Sequence, residues 1–240
     1  SSRAIEAYDG REKAPAAATD DMFLKPNGSR PNFYDVVPGG LSVGGPGVLR
    51  MMELAHKNHG KLAWAELFGP AIKLADEGFK VSRRLYTLVK NDSLLKKFKA
   101  STDFFYDNAG FSKPVGTLLI NKPLAETFRK IAKGGADAFY KGALAAEIVK
   151  TVRGANLNPG RMTISDMAAY EAKKRNPVCS FYRKWLVCGM PPPTSGGITT
   201  LQMLGLLQGS DMSRMFPGST ETVHMIAEAG RLAFADRNKY

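Results

Sequence analysis

Acidic side chains, cysteine and histidine are all scarce in this sequence, and each scarcity closes off a class of protein. Two cysteines in 240 residues cannot build a disulfide framework, and three histidines leave little from which to assemble a metal centre. No stretch reaches the roughly 18 consecutive apolar residues that a membrane-spanning helix needs. No signal peptide opens the sequence, which says little about compartment because the segment reads as the middle of a protein. The glycines of residues 25 to 47 are followed by no Gly-Lys-Ser/Thr and fit no G-x-G-x-x-G spacing, so they do not read as a phosphate loop. No G-x-S-x-G elbow occurs, and His224 has neither an acid nor a nucleophile near it in sequence, so a Ser-His-Asp arrangement cannot be assembled.

Asp and Glu number 22 against 34 Lys and Arg, a formal net charge of +12. The pI near 9.7 favours encounters with polyanions or anionic surfaces. The basic residues bunch at Lys96-Lys97-Phe98-Lys99, Lys173-Lys174-Arg175 and Arg183-Lys184, each time briefly. Without a long basic-aromatic array these read as solvated faces and not as a nucleic-acid surface.

What is present is the composition of an ordinary globular protein, 44% hydrophobic and 23% charged. No internal repeat or low-complexity linker interrupts it, so residues 1 to 240 are expected to form one domain or part of one. A strand-like opening, Ala4 to Tyr8, leads to a loop over residues 25 to 47, and Pro46 then stands near the first turn of a helix. Trp64, Leu67, Phe68, Ala71, Ile72 and Ala75 recur as one buried helical face, with Pro70 kinking the helix or starting its second half. A polar helix is expected from about Ser82 to Phe98, then a short hairpin around Asn108-Ala109-Gly110. Leu124, Phe128, Ile131 and Ala132 mark a helix that ends at Gly134-Gly135, and Asp137 is expected to N-cap the next. Thr163-Ile-Ser-Asp166 has the form of a capping box. The last third predicts strand, turn and strand over about 173 to 189, then two helices, one through Leu201, Leu204 and Leu207 and one beginning after Ser219.

If Arg183-Lys184 is the turn of that hairpin, Cys179 and Cys188 fall opposite one another. A bridge across adjacent strands and a pair of packed thiols both satisfy this placement. His56 and His59, three apart near a helix end, have a metal-compatible spacing but no third ligand, and read as end-of-helix histidines. Asp20 and Asp21 point different ways in any regular structure and read as solvated. In Thr194-Ser195-Gly196-Gly197 three prolines fix the approach, the glycines allow close passage, and the hydroxyls can cap the helix that follows; an anion contact is the alternative. Arg11 lies between Asp9 and Glu12 and could form a solvated ion pair with either, worth about 0–1 kcal/mol.

Five ordered blocks then bear on the question: "DGREKAPAAATDDMFL" at 9 to 24, "GLSVGGPGVLRMMELAHKNHGKLAWAELFGPAIKLADEGF" at 40 to 79, "FYKGALAAEIV" at 139 to 149, "MPPPTSGG" at 190 to 197 and "AEAGRLAFADRNKY" at 227 to 240. Together they resemble the large subunit of a γ-glutamyltranspeptidase. The resemblance implies an α/β (α+β) fold, the four-layer αββα sandwich of the N-terminal-nucleophile hydrolases, with this chain as its helix-rich large-subunit part. It implies a self-cleaving precursor whose small subunit starts with the catalytic threonine. The Thr-Thr-His motif of that subunit is absent here, so no catalytic residue is expected in this chain. Arg11, the arginine of D-G-R-E-x-A-P, is implied to bind the α-carboxylate of a γ-glutamyl substrate such as glutathione, while Glu12, Thr194 and Ser195 are candidate supports. Neither cofactor nor metal is implied. The family's periplasmic, secreted or cell-surface setting favours the bridged form of Cys179 and Cys188. Gly45 stands where a larger apolar residue is common and Thr194 where serine is commoner. A related acylase, a poly-γ-glutamate depolymerase and a non-catalytic polyanion-binding module are the alternative readings.

Overall fold

The computed structural model describes residues 4–239. They fall into two compact units, one made of Glu12–Glu171, the other of the residues up to Arg11 together with those from Ala172 onward. Helices predominate in both, and the strands pair into three two-stranded antiparallel sheets.

The chain enters on β1 (Ala7–Asp9), shorter than the sequence suggested. The unit of residues 12 to 171 begins with a loop pinned early, because Lys13 and Gly45 exchange both main-chain bonds at 3.2 and 2.7 Å. The loop expected over residues 25 to 47 contains one helical turn, α1 (Phe33–Val36), started by the Asn32 side chain accepting from the Tyr34 N–H. Pro46 lies just before the first turn of α2 (Val48–His59), not within it. Gly47 has no side chain to cap that helix. The cap comes instead from Tyr140, whose hydroxyl accepts from the Arg50 N–H at 3.2 Å and donates to the Pro46 carbonyl at 2.7 Å.

A 3-10 turn over Trp64–Phe68 runs into α3 (Gly69–Glu77), with Pro70 in its first turn, so the proline starts the second half of the predicted helix. Of the face expected to be buried, Ala75 is buried, Trp64, Phe68, Ala71 and Ile72 are half-buried, and Leu67 is exposed. The 3-10 stretch winds at about three residues per turn and rotates Leu67 off the line of the others. After β2 (Phe79–Lys80), α4 (Arg83–Asn91) is capped by Ser82. The helix predicted to reach Phe98 stops there, because the Asp92 carboxylate accepts from the Leu94 and Leu95 N–H groups and closes a competing turn. A 3-10 turn at Leu95–Lys97 and α5 (Lys99–Phe105) follow. The expected tight turn at 108 to 110 is present under a Tyr106–Ser112 bridge, with Gly110 at φ 79°.

The short strand β3 (Leu118–Leu119) pairs with β2, and α6 (Lys122–Gly134) ends at Gly135 as predicted. Asp137 does not cap a long helix. It opens a single turn, α7 (Asp137–Tyr140), and its carboxylate holds Arg50 and Lys141. Lys141 separates that turn from α8 (Gly142–Arg153), which opens on Gly142 at φ 69°. The predicted capping box of Thr163 and Asp166 opens α9 (Ile164–Ala168). Tyr140, Met162 and Met167 are the largest side chains fully buried in this unit.

In the other unit β1 pairs with β4 (Lys173–Arg175). A hairpin of β5 (Val178–Tyr182) and β6 (Trp185–Gly189) turns at Arg183-Lys184. Cys179 lies opposite Cys188 in its register, and the two are disulfide-bonded. Two α-helices follow, α10 (Gly196–Leu207) and α11 (Thr220–Lys239), packed against one another, with Leu207, Ala229 and Ala233 buried. No described helix is long and apolar enough to cross a membrane.

Candidate functional site

Arg11 stands two residues beyond the end of β1, and what fixes it begins with Asp9. The Asp9 carboxylate is buried, 8% exposed, and both of its oxygens are used. Oδ1 accepts the main-chain N–H of Arg11 at 2.9 Å, an i to i+2 Asx turn that closes over Gly10. Oδ2 accepts from Arg175 Nε at 2.6 Å. The register sets Ala7 opposite Arg175 and Asp9 opposite Lys173, so the Asp9–Arg175 pair is a diagonal contact on one face of the β1–β4 ladder. Glu6, just before β1, pairs with Lys174 of β4 and so also ties the two segments together, and it accepts from the Tyr8 hydroxyl. The Arg11 N–H, foremost, holds the Asp9 carboxyl below its usual range against the opposing effect of burial; Arg175 and Lys173 add to it. Asp9 is therefore an anion under a turn whose exposed end is Arg11.

The sequence suggested Asp9 only as a solvated ion-pair partner. It is instead a buried anchor that takes the Arg11 main chain and the Arg175 side chain. The D-G-R spacing carried the signal, since an aspartate two residues before its target closes this turn. Arg175, read as part of a basic bunch, could be found only through strand pairing. Glu12 is exposed and falls in the other compact unit, where its neighbour Lys13 makes the bridge to Gly45.

Thr194 and Ser195 lead into α10. Glycine is required at 197, because a Cβ there would lie 2.3 Å from the Met190 carbonyl oxygen. The expected capping is slight. Thr194 Oγ1 accepts from the Gly196 N–H at a long 3.4 Å, and Ser195 makes no side-chain cap at all. Its hydroxyl is taken by Arg237 Nε at 2.8 Å. Arg237 also donates to Asn238 Oδ1 and lies 5.7 Å from the Phe234 ring centre. A cavity of about 500 Å³ opens here, walled by Pro192, Pro193 and Ile198 and edged by Thr194, Ser195, Gln202, Asp236 and Arg237. A guanidinium cannot accept a proton, so this contact does not activate Ser195 as a nucleophile.

The remaining candidates have local explanations. His56 Nε2 is 2.9 Å from the Leu62 carbonyl oxygen and its ring meets Trp64 edge-on. His59 and His224 are exposed on their helices, as are Asp20 and Asp21 in the loop. No three His, Cys, Asp or Glu side chains converge on a metal position among the described residues. In the basic bunches Lys99 pairs with Asp103, Lys174 with Glu6 and Arg175 with Asp9, while Arg183 donates to the Ser210 carbonyl.

The helix-rich α/β chain fits the large-subunit part of an N-terminal-nucleophile hydrolase. The chain belongs to the γ-glutamyltranspeptidase family, whose model, described as Gamma-glutamyltranspeptidase, matches residues 1–240. It is 38% identical over 232 residues to the glutathione hydrolase proenzyme of Bacillus subtilis (strain 168), covering 97% of this chain and 39% of that protein. Identity to the glutathione hydrolase proenzyme of Escherichia coli (strain K12) is 36% over 236 residues, covering 98% and 40%. The chain thus spans about two fifths of the length of these curated relatives. Its fold matches the crystal structure of Helicobacter pylori γ-glutamyltranspeptidase with a TM-score of 0.90 at 36% identity, over 98% of this chain and 66% of that one.

Proposed function

We propose that residues 1 to 240 are the large-subunit portion of a γ-glutamyltranspeptidase that cleaves the γ-glutamyl amide of glutathione and related donors. The observation that carries this reading is Arg11, held at the end of β1 by a buried aspartate in a chain of this family. A guanidinium matches a substrate α-carboxylate with two parallel charge-assisted bonds, a geometry lysine cannot reproduce. Gripped there, the donor places its γ-carbonyl several bonds away, so that error at Arg11 becomes misalignment at the reacting carbon.

The nucleophile in this reading is the N-terminal threonine of a partner small subunit, its hydroxyl activated by its own amino group. Attack on the γ-carbonyl carbon expels the amine and leaves a γ-glutamyl ester, which water or an amino acid then resolves. Oxyanion donors come from the partner chain. The Cys179–Cys188 bridge supports a periplasmic or secreted setting. The net charge of +12 favours a second donor class, polyanionic poly-γ-glutamate, and turnover of that polymer against glutathione separates the two.

Arg11→Lys tests the site. Losing one charge-assisted bond of about 1.5–3 kcal/mol raises KM for a γ-glutamyl anilide roughly 10- to 150-fold. Self-cleavage into two chains persists, seen by intact mass as a second polypeptide beginning with threonine. An unchanged KM defeats the assignment.

A further inference from the structure

An arginine fork is useful only if the main chain beneath it is fixed, and the turn carrying Arg11 includes Gly10, the residue type with the most backbone freedom. The freedom is removed from one side by Asp9. Its Oδ1 ties the Arg11 N–H at 2.9 Å, and its Oδ2 is tied at 2.6 Å to Arg175, which is held in register on β4. The contacts therefore run in series from a paired strand, through one guanidinium and one buried carboxylate, to the main chain of a second arginine. A pair serving only to staple two strands would not need an oxygen on the Arg11 N–H, and Glu6 with Lys174 already provides such a staple.

We propose that Asp9 is the positioning residue of Arg11, and that Arg175 acts one step further back by holding Asp9. Neither touches the substrate; together they set the strength with which Arg11 grips it. The proposal rests on the reading that Arg11 binds the substrate carboxylate.

Steady-state kinetics of the complete two-chain enzyme with a γ-glutamyl anilide provide the test. Asp9→Asn keeps an acceptor for the Arg11 N–H but removes the charge facing Arg175, and Asp9→Ala removes both. KM is expected to rise about 3- to 10-fold in the first and about 10-fold or more in the second, with kcat within about threefold, since the interaction lost is a binding one. Arg175→Gln is expected to match Asp9→Asn. The decisive reading is a double-variant cycle, because a residue that works through Arg11 adds nothing once Arg11 is gone. Asp9→Ala placed on Arg11→Ala should leave KM where Arg11→Ala alone put it. Multiplying effects, or a wild-type KM in processed Asp9→Ala enzyme, would overturn the proposal. If Asp9→Ala does not fold, Asp9→Asn and Arg175→Gln decide alone, and wild-type KM values in both refute it. An Arg11→Ala enzyme with an unchanged KM would instead sink the site reading itself. Sensitivity at Arg11 with none at Asp9 or Arg175 removes only this inference.

Discussion

Tyr140→Phe deletes one oxygen from a residue with no solvent exposure, and two main-chain groups lose their partner. The Pro46 carbonyl loses a donor at 2.7 Å, and the Arg50 N–H, in the first turn of α2, loses an acceptor at 3.2 Å. Burial pushes the Tyr140 hydroxyl upward, so it stays protonated and donating throughout the working pH range. Each orphaned buried group costs about 1–3 kcal/mol, and partial hydration of the half-buried Arg50 turn trims the total to about 2–4 kcal/mol. The phenylalanine ring keeps its place, since the stack on Tyr170 at 5.8 Å and the Arg50 guanidinium at 4.6 Å need only the π-face. The effect should therefore be local to the helix start. Amide hydrogen exchange followed by mass spectrometry is the matching assay, and peptides covering residues 47 to 53 should exchange roughly 30- to 1,000-fold faster than in the parent protein. Peptides from α11 should not change. Unaltered exchange over 47 to 53 would refute the idea that a distant tyrosine caps this helix.

Three further outcomes are expected. Asp166→Ala removes the acceptor shared by Ala16 N–H, Thr163 N–H and the Thr163 hydroxyl; it should cost about 2–4 kcal/mol and open residues 14 to 24 to limited proteolysis, and an unchanged cleavage pattern would contradict it. Acid should destabilise the protein through depressed carboxyls that include Asp9, held down first by the Arg11 N–H, and Glu53 and Asp166, where burial pushes upward but is outweighed by main-chain N–H donors from Ala136 and Ala16 and by Arg50 and Thr163. Because these folded-state values lie below the unfolded ones, their stabilisation is complete only well above the unfolded range near pH 4, begins to fall at about pH 5 and is lost as pH drops through the folded values; denaturant midpoints at pH 7, 6 and 3 should be level at first and then drop. Finally, the Cys179–Cys188 bridge spans a sequence separation of 9, so reduction should cost about 2–3 kcal/mol, and iodoacetamide should label neither thiol before reduction and both after. Labelling of the untreated protein would contradict the bridge.

Features encoded by neighbours in sequence were legible before the structure, and those encoded by distant partners were not. The hairpin register followed from one turn and a period of two, which set Cys179 against Cys188. The Thr163–Asp166 box and the glycine ending α6 lie within a few residues of what they act on. Asp92 is a local signal masked in the sequence, because apolar and basic residues continue beyond it and only its carboxylate decides for a turn. Asp137 had the residue type of a cap, but two cations compete for its oxygens, one of them 87 positions away. The Tyr140 cap on α2 acts across 90 residues, and no propensity or spacing announces it. At the candidate site, Arg11 was recognisable from its motif, whereas the roles of Arg175 and Arg237 appear only once strands and helices have paired.

The unit that carries Arg11 is discontinuous, its opening strand separated from β4 by the whole of the other unit. Asp9 meets Arg175 across 166 residues. During synthesis β1 therefore waits, unpaired, while everything up to residue 171 emerges and can begin to fold. The turn under Arg11 can be set only after the inserted unit has emerged, and its completion reports that the segments flanking that unit have found each other.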